Sequence, residues 1–119
     1  MNDRFRFRVF YKPHNKIYNV ICLNSDRQKE IIVEYKGSTA LVEWKYCDIL
    51  QSTGLKDKNG RLIYEGDIIK ETLIDFINEE IITVVKWDKL NTGYNLENLQ
   101  NCEREIIGNI YQNPELLEE

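Results

Sequence analysis

The segment Tyr64-Glu65-Gly66-Asp67-Ile68-Ile69-Lys70 constrains the fold more than any other stretch of the chain. Gly66 has no Cβ and accepts a tight bend that other residues resist, and Asp67 directly after it can take hydrogen bonds from the bend's backbone amides. Ile68-Ile69 then opens a β-branched run, which favours an extended strand over a helix. A bend that launches a strand implies a sheet of short, sharply turned segments, an arrangement common in small SH3-like barrels.

The rest of the chain repeats this grammar. Phe5, Phe7 and Val9 alternate with Arg4, Arg6 and Arg8, the period of a half-buried strand with a basic outer face. Pro13-His14-Asn15-Lys16 reads as a turn into the apolar run 17–23, and the polar residues 24–29 read as a loop. Strands are expected at 31–35 and 40–46, separated by a turn over 36–39, with Val42, Trp44 and Tyr46 on the buried face of the second. Asp57-Lys58-Asn59-Gly60 predicts a type I′ reversal with two positive φ values. Further strands are expected at 81–88 and 105–111, the latter with a bulge at Gly108-Asn109. Leu96, Leu99 and Cys102 repeat every third residue, as in one helical turn, and Asn113-Pro114-Glu115 predicts a short C-terminal helix.

Composition narrows the classes of function. A chain of 119 residues suits one domain. No apolar stretch approaches the roughly 18 residues of a membrane span, and the charged opening is unlike a secretory leader, so a cytoplasmic location is expected. Cys22, Cys47 and Cys102 match neither a metal-binding nor a paired pattern and are read as reduced, buried small hydrophobes. The net charge of −4 conceals a polarity. Residues 1–16 hold Arg4, Arg6, Arg8, Lys12 and Lys16 against Asp3, whereas residues 97–119 hold six glutamates against Arg104. Such ends can pair with each other, within one chain or between neighbouring copies.

Three blocks also carry a resemblance. The opening Arg4-Phe5-Arg6 strand, the central run from Gln51 through Asn59-Gly60 to Gly66-Asp67-Ile68, and the closing Ile107-Gly108-Asn109-Ile110-Tyr111-Gln112-Asn113-Pro114-Glu115-Leu116 resemble the YopX family, in the same order. The resemblance implies phage or prophage origin, a mainly β domain with an SH3-like barrel portion, and self-association. It implies no activity. The expected architecture is therefore a single YopX-like domain over 1–119: an N-terminal β extension over 1–50, an SH3-like barrel core over 51–119, and the short terminal helix. The glycines, Asp67 and Asn109 of these blocks have fold-maintaining explanations as turn formers, which places the functional surface elsewhere.

Little catalytic chemistry is available. His14, the sole histidine, sits in a turn, and the scattered glycines match neither a P-loop nor a dinucleotide fingerprint. No cofactor, metal site or catalytic residue is expected; convergence of Asp57, Glu65, Asp67 and Asp75 on a cation is the weaker reading, beside turn capping. Two surfaces are candidates for binding. Arg4, Arg6 and Arg8, about 6.6 Å apart along one strand face and extended by Lys12, could contact a nucleic-acid backbone. Among the aromatics Trp44, Tyr46, Trp87 and Tyr94, an exposed Trp87 and Tyr94 would suit a protein partner. The favoured reading is a non-catalytic phage accessory protein that binds protein and forms homo-oligomers, with weak nucleic-acid binding as the alternative.

Overall fold

The computed structural model describes residues 6–23, 30–73, 79–88, 93–96 and 102–117. The chain is mainly β. Strands β1 (Phe7–Tyr11), β2 (Lys16–Leu23), β3 (Glu30–Tyr35), β4 (Ser38–Glu43), β5 (Cys47–Lys56) and β6 (Leu62–Tyr64) form one antiparallel sheet in the order β4-β3-β2-β1-β5-β6. Strands β7 (Asp67–Leu73), β8 (Glu79–Val84) and β11 (Cys102–Asn109) form a second, ordered β11-β7-β8. β9 (Trp87–Asp88) and β10 (Gly93–Tyr94) make a two-stranded ribbon.

Local sequence explains most of the turns. Asn15 adopts a left-handed conformation (φ 52°) and donates its amide to the Lys12 carbonyl, which closes the β1–β2 connection after a 3-10 turn at Lys12–His14. Between β3 and β4, Lys36 and Gly37 both have positive φ and connect the paired Tyr35 and Ser38, so the reversal is two residues long. The turn at 57–60 departs from the type I′ expectation. Only Gly60 has positive φ there, because the Asp57 carboxylate organises the turn by accepting the amides of Asn59 and Arg61 at 3.0 and 2.9 Å.

Several other expectations need correction. The described strands close into no barrel: β6 has three residues, and its pairing with β5 shifts register between Ser52 and Lys56, which leaves both sheets open. The C-terminal helix is a four-residue 3-10 turn, Pro114–Leu117, because Asn113 turns its Oδ1 back to the Asn109 amide. β4 stops at Glu43, and Trp44–Tyr46 form a 3-10 turn that leaves Tyr46 exposed while Trp44 packs on the core. The run expected at 81–88 divides into β8 and β9. β11 begins at Cys102 and shifts register between Ile106 and Gly108, the bulge anticipated at its end. The loop at 24–29, Asp75 and most of the helical turn at 96–102 lie outside the described residues. β5 has no counterpart in the sequence reading, and the boundary drawn between residues 50 and 51 falls inside it.

Two apolar clusters hold the sheets. Val9, Ile31, Val33 and Val42 are buried on one face of the six-stranded sheet, joined by Tyr18, Val20, Trp44 and Ile49. Ile63, Ile69 and Val85 form the second, with Tyr94 and Ile106 against them. Each such side chain contributes about 1.5–3 kcal/mol by leaving water. The second cluster adjoins the bend foreseen from sequence through Val85. The Gly66 amide donates to the Val85 carbonyl, the Val85 amide to the Asp67 carbonyl and the Ile110 amide to the Gly66 carbonyl, each at 2.9 Å. Beside them, Phe10 of β1 stacks on Tyr111 with ring centroids 4.5 Å apart.

Gly66 has φ 83°, and a Cβ there would lie 2.9 Å from Tyr111 Cε2. Gly66→Ala is therefore expected to destabilise the fold by about 1–3 kcal/mol, measured by chemical denaturation. Gly60 has a similar φ but open space around it, so Gly60→Ala tests backbone strain without the collision and is expected to cost less.

Candidate binding surfaces

The alternation of β1 buries Val9 completely and sends Arg6 and Arg8 to the opposite face. Arg4 lies outside the described residues. Arg8 is opposite Asn19 of β2, and a polar row runs across the strands: Arg8 Nε donates to Asn19 Oδ1 at 3.2 Å, and Asn19 Nδ2 donates to Glu34 Oε2 at 3.3 Å. The Arg8 guanidinium also stacks 4.0 Å above the Tyr64 ring, a cation–π contact that fixes its plane. Arg6 is exposed nearby.

These arginines line a groove of about 860 Å³ with Arg61, a residue the sequence reading did not single out. Its signal was local. Arg61 follows Asp57 by four residues around a turn, and its Nη2 donates to Asp57 Oδ2 at 3.3 Å and to the Ile106 carbonyl at 2.9 Å. Lys12, by contrast, does not line the groove; it pairs with Asp48 at 3.8 Å from the turn after β1. The expected set of four basic residues is thus represented at this groove by Arg6 and Arg8, with Arg61 in addition.

The carboxylates are turn formers. Burial pushes the Asp57 carboxyl up, but the amides of Ile106, Arg61 and Asn59 and the Arg61 charge outweigh it and hold the group below its ordinary range. Glu65 Oε1 accepts the Gln51 amide at 2.9 Å. Asp67 Oδ2 accepts the Tyr64 amide at 2.8 Å, yet burial dominates and raises its pKa to about 6, against the pull of that amide, Arg8 and Arg61. No group of three metal-ligating side chains occurs among the described residues.

The four aromatics separate. Trp44 joins the first core, Tyr46 is exposed, and Trp87 and Tyr94 meet edge to face across β9–β10 with centroids 5.1 Å apart. Tyr94 packs down on the second core while Trp87 remains 41% exposed, so the pair presents one indole to solvent on a fixed base. His14 belongs to a ring cluster with Tyr11, Tyr18 and Tyr35, its Nδ1 2.7 Å from the Tyr18 hydroxyl. The cysteines differ from expectation: Cys22 is exposed and Cys47 and Cys102 half-buried. Cys22 is turned outward by a bulge in β2, where the pairing with β3 shifts between Val20 and Cys22.

The remaining surface of interest is the edge strand β8. Ile81 and Ile82 are consecutive and so point to opposite faces, yet each is 43% exposed. Its six residues, Glu79–Val84, include no lysine or proline and its ladder with β7 no bulge, so what blunts this edge is the charge of Glu79 and Glu80 at its start.

A family model described as YopX protein matches residues 6–118. Among solved structures, the chain is similar to protein EF1440 from Enterococcus faecalis, at 27% identity over 95% of this chain and 97% of that one, with a TM-score of 0.60. It shares its fold with protein yopX from Bacillus subtilis, at 20% identity over 99% and 100% of the two chains, with a TM-score of 0.65. No curated protein matches.

The Asp67 environment gives a signed pH dependence. A carboxyl whose folded pKa is raised from 3.8 to about 6 favours the folded state below pH 3.8 and loses that contribution as pH rises to about 6. The stability of the native chain relative to Asp67→Asn should fall by up to about 3 kcal/mol across that window, read from urea unfolding midpoints at each pH. A flat difference would show that Asp67 titrates normally.

Proposed function

The chain belongs to the YopX family, and on that premise we propose that it is a phage- or prophage-encoded accessory protein without catalytic activity, which works in the host cytoplasm by binding protein and assembling with copies of itself. The observation that carries this reading is β8, which among the described residues is the outer strand of its sheet and has an apolar centre at Ile81 and Ile82. An outer strand with apolar side chains on both faces gains by accepting another strand. Two-fold antiparallel pairing of β8 with its copy, centred on Ile82, sets that isoleucine against its counterpart, Ile81 against Thr83 and Glu80 against Val84, so the glutamates do not meet across the seam. The Trp87–Tyr94 pair supports a protein partner at a separate surface, since a fixed, exposed indole supplies contact area at low entropic cost.

A second reading, weak nucleic-acid binding through Arg4, Arg6, Arg8 and Lys12, is favoured by the gathering of Arg6, Arg8 and Arg61 at one groove and opposed by the net charge of −4. It requires affinity for a single-stranded oligonucleotide that falls steeply with salt.

The assembly reading is tested by light scattering. The native chain should show a mass that is a multiple of 14.2 kDa, and Ile82→Lys should shift it toward the single-chain mass while changing stability by no more than about 0.5 kcal/mol, as for an exposed site. A native chain that stays monomeric across a wide concentration range would remove the proposal.

A further inference from the structure

The groove over one face of β1 and β2 has a chemical character that neither strand predicts alone. It is lined by three arginines, Arg6, Arg8 and Arg61, and by one carboxylate, Glu34. Arg8 is held flat by Tyr64 and oriented by Asn19, and Arg61 is anchored by one nitrogen to Asp57 and the Ile106 carbonyl, so their positions are set before any ligand arrives. The groove also has an aliphatic side. The β2 bulge leaves Ile21 unpaired between Val20 and Cys22, both Ile21 and Cys22 line the groove, and Ile21 is 52% exposed. A ligand that fits must therefore carry several carboxylates together with apolar side chains.

This chain itself contains such a segment. In Pro114-Glu115-Leu116-Leu117-Glu118-Glu119, two leucines are flanked by three glutamates. Leu116 and Leu117 are 37% and 44% exposed, and Glu115 is exposed beside them. With the chain acidic as a whole, an anionic nucleic acid meets net repulsion, whereas this segment concentrates the negative charge at the end opposite the arginines.

We propose that the β1–β2 groove receives the acidic, leucine-bearing segment 114–119 of a second copy, with Arg6, Arg8 and Arg61 taking its glutamates and Ile21 its leucines. The inference rests on the assembly reading and adds a contact distinct from β8 pairing: a head-to-tail junction, in which groove and segment are different surfaces of the chain.

A charge swap tests it. Arg6→Glu with Arg8→Glu makes an acidic groove, and Glu115→Lys with Glu118→Lys and Glu119→Lys makes a basic segment. Each variant alone should associate at least about tenfold more weakly than the native chain in sedimentation velocity, and an equimolar mixture should recover association. Circular dichroism melts identify any variant that has not folded. A labelled, amidated peptide of residues 113–119 provides the second measurement. It should bind the Ile82→Lys chain with an affinity that falls about tenfold or more on Arg6→Ala with Arg8→Ala and weakens as salt is raised. Because this arm needs no oligomer, peptide binding together with a native chain that stays monomeric in light scattering would support the groove's affinity for this segment while rejecting self-assembly. Swapped variants that associate like the native chain, together with a peptide that does not bind, would overturn the proposal. Arginine-dependent binding of a single-stranded oligonucleotide in place of the peptide would overturn it equally.

Discussion

The structure depends on the backbone hydrogen bonds that converge on Gly66 and Asp67. Gly66 is donor to Val85 and acceptor from Ile110, while Asp67 offers its carbonyl to Val85 and its carboxylate to the Tyr64 amide. One bend thereby joins the end of the six-stranded sheet to the start of the three-stranded one and fixes the entry to β9 and the exit from β11. Only a residue in the left-handed region turns the chain so tightly, and Tyr111 fills the space where a side chain would stand. Burial of the Asp67 carboxyl is the cost of this arrangement, visible in its raised pKa.

That bend was legible because its chemistry is local. The same holds for the left-handed Asn15, the β1 alternation and the bulge near Gly108, all of which follow from one residue and its neighbours. β5 was not legible. Ser52 and Thr53 are polar residues in a fully buried stretch, and they become tolerable only because Thr53 Oγ1 donates to the Ile63 carbonyl and accepts the Leu55 amide, while Ser52 Oγ accepts the Gly54 amide. The Gly54 and Leu55 amides are local, but the Ile63 carbonyl comes within reach only once β6 has paired with β5. The barrel expectation failed for a related reason: whether strands close into a cylinder depends on long-range register, and the shifted β5–β6 pairing cannot be read from residue types.

The candidate surfaces divide along the same line. Arg6 and Arg8 were found from a period of two, and Trp87 and Tyr94 from their residue type. Arg61 joins the arginines only through the fold, and the outward Ile21 and Cys22 only through a bulge. The sequence-level charge polarity acquires a structural counterpart in this groove. The candidate surfaces are ordinary strand features: an outer strand with an apolar centre, a bulge beside exposed apolar side chains, and cations held by a ring and an amide.

The claim that β8 pairs with a second copy is tested most directly by amide hydrogen exchange as a function of concentration. In the isolated chain, the amides of residues 80–83 that do not face β7 should exchange rapidly, as edge groups do. The account predicts that these amides become protected as concentration rises through the assembly range, while those of β3 and β4 change little. Exchange in β8 that is fast and independent of concentration, in a solution where the chain is nevertheless oligomeric, would contradict it.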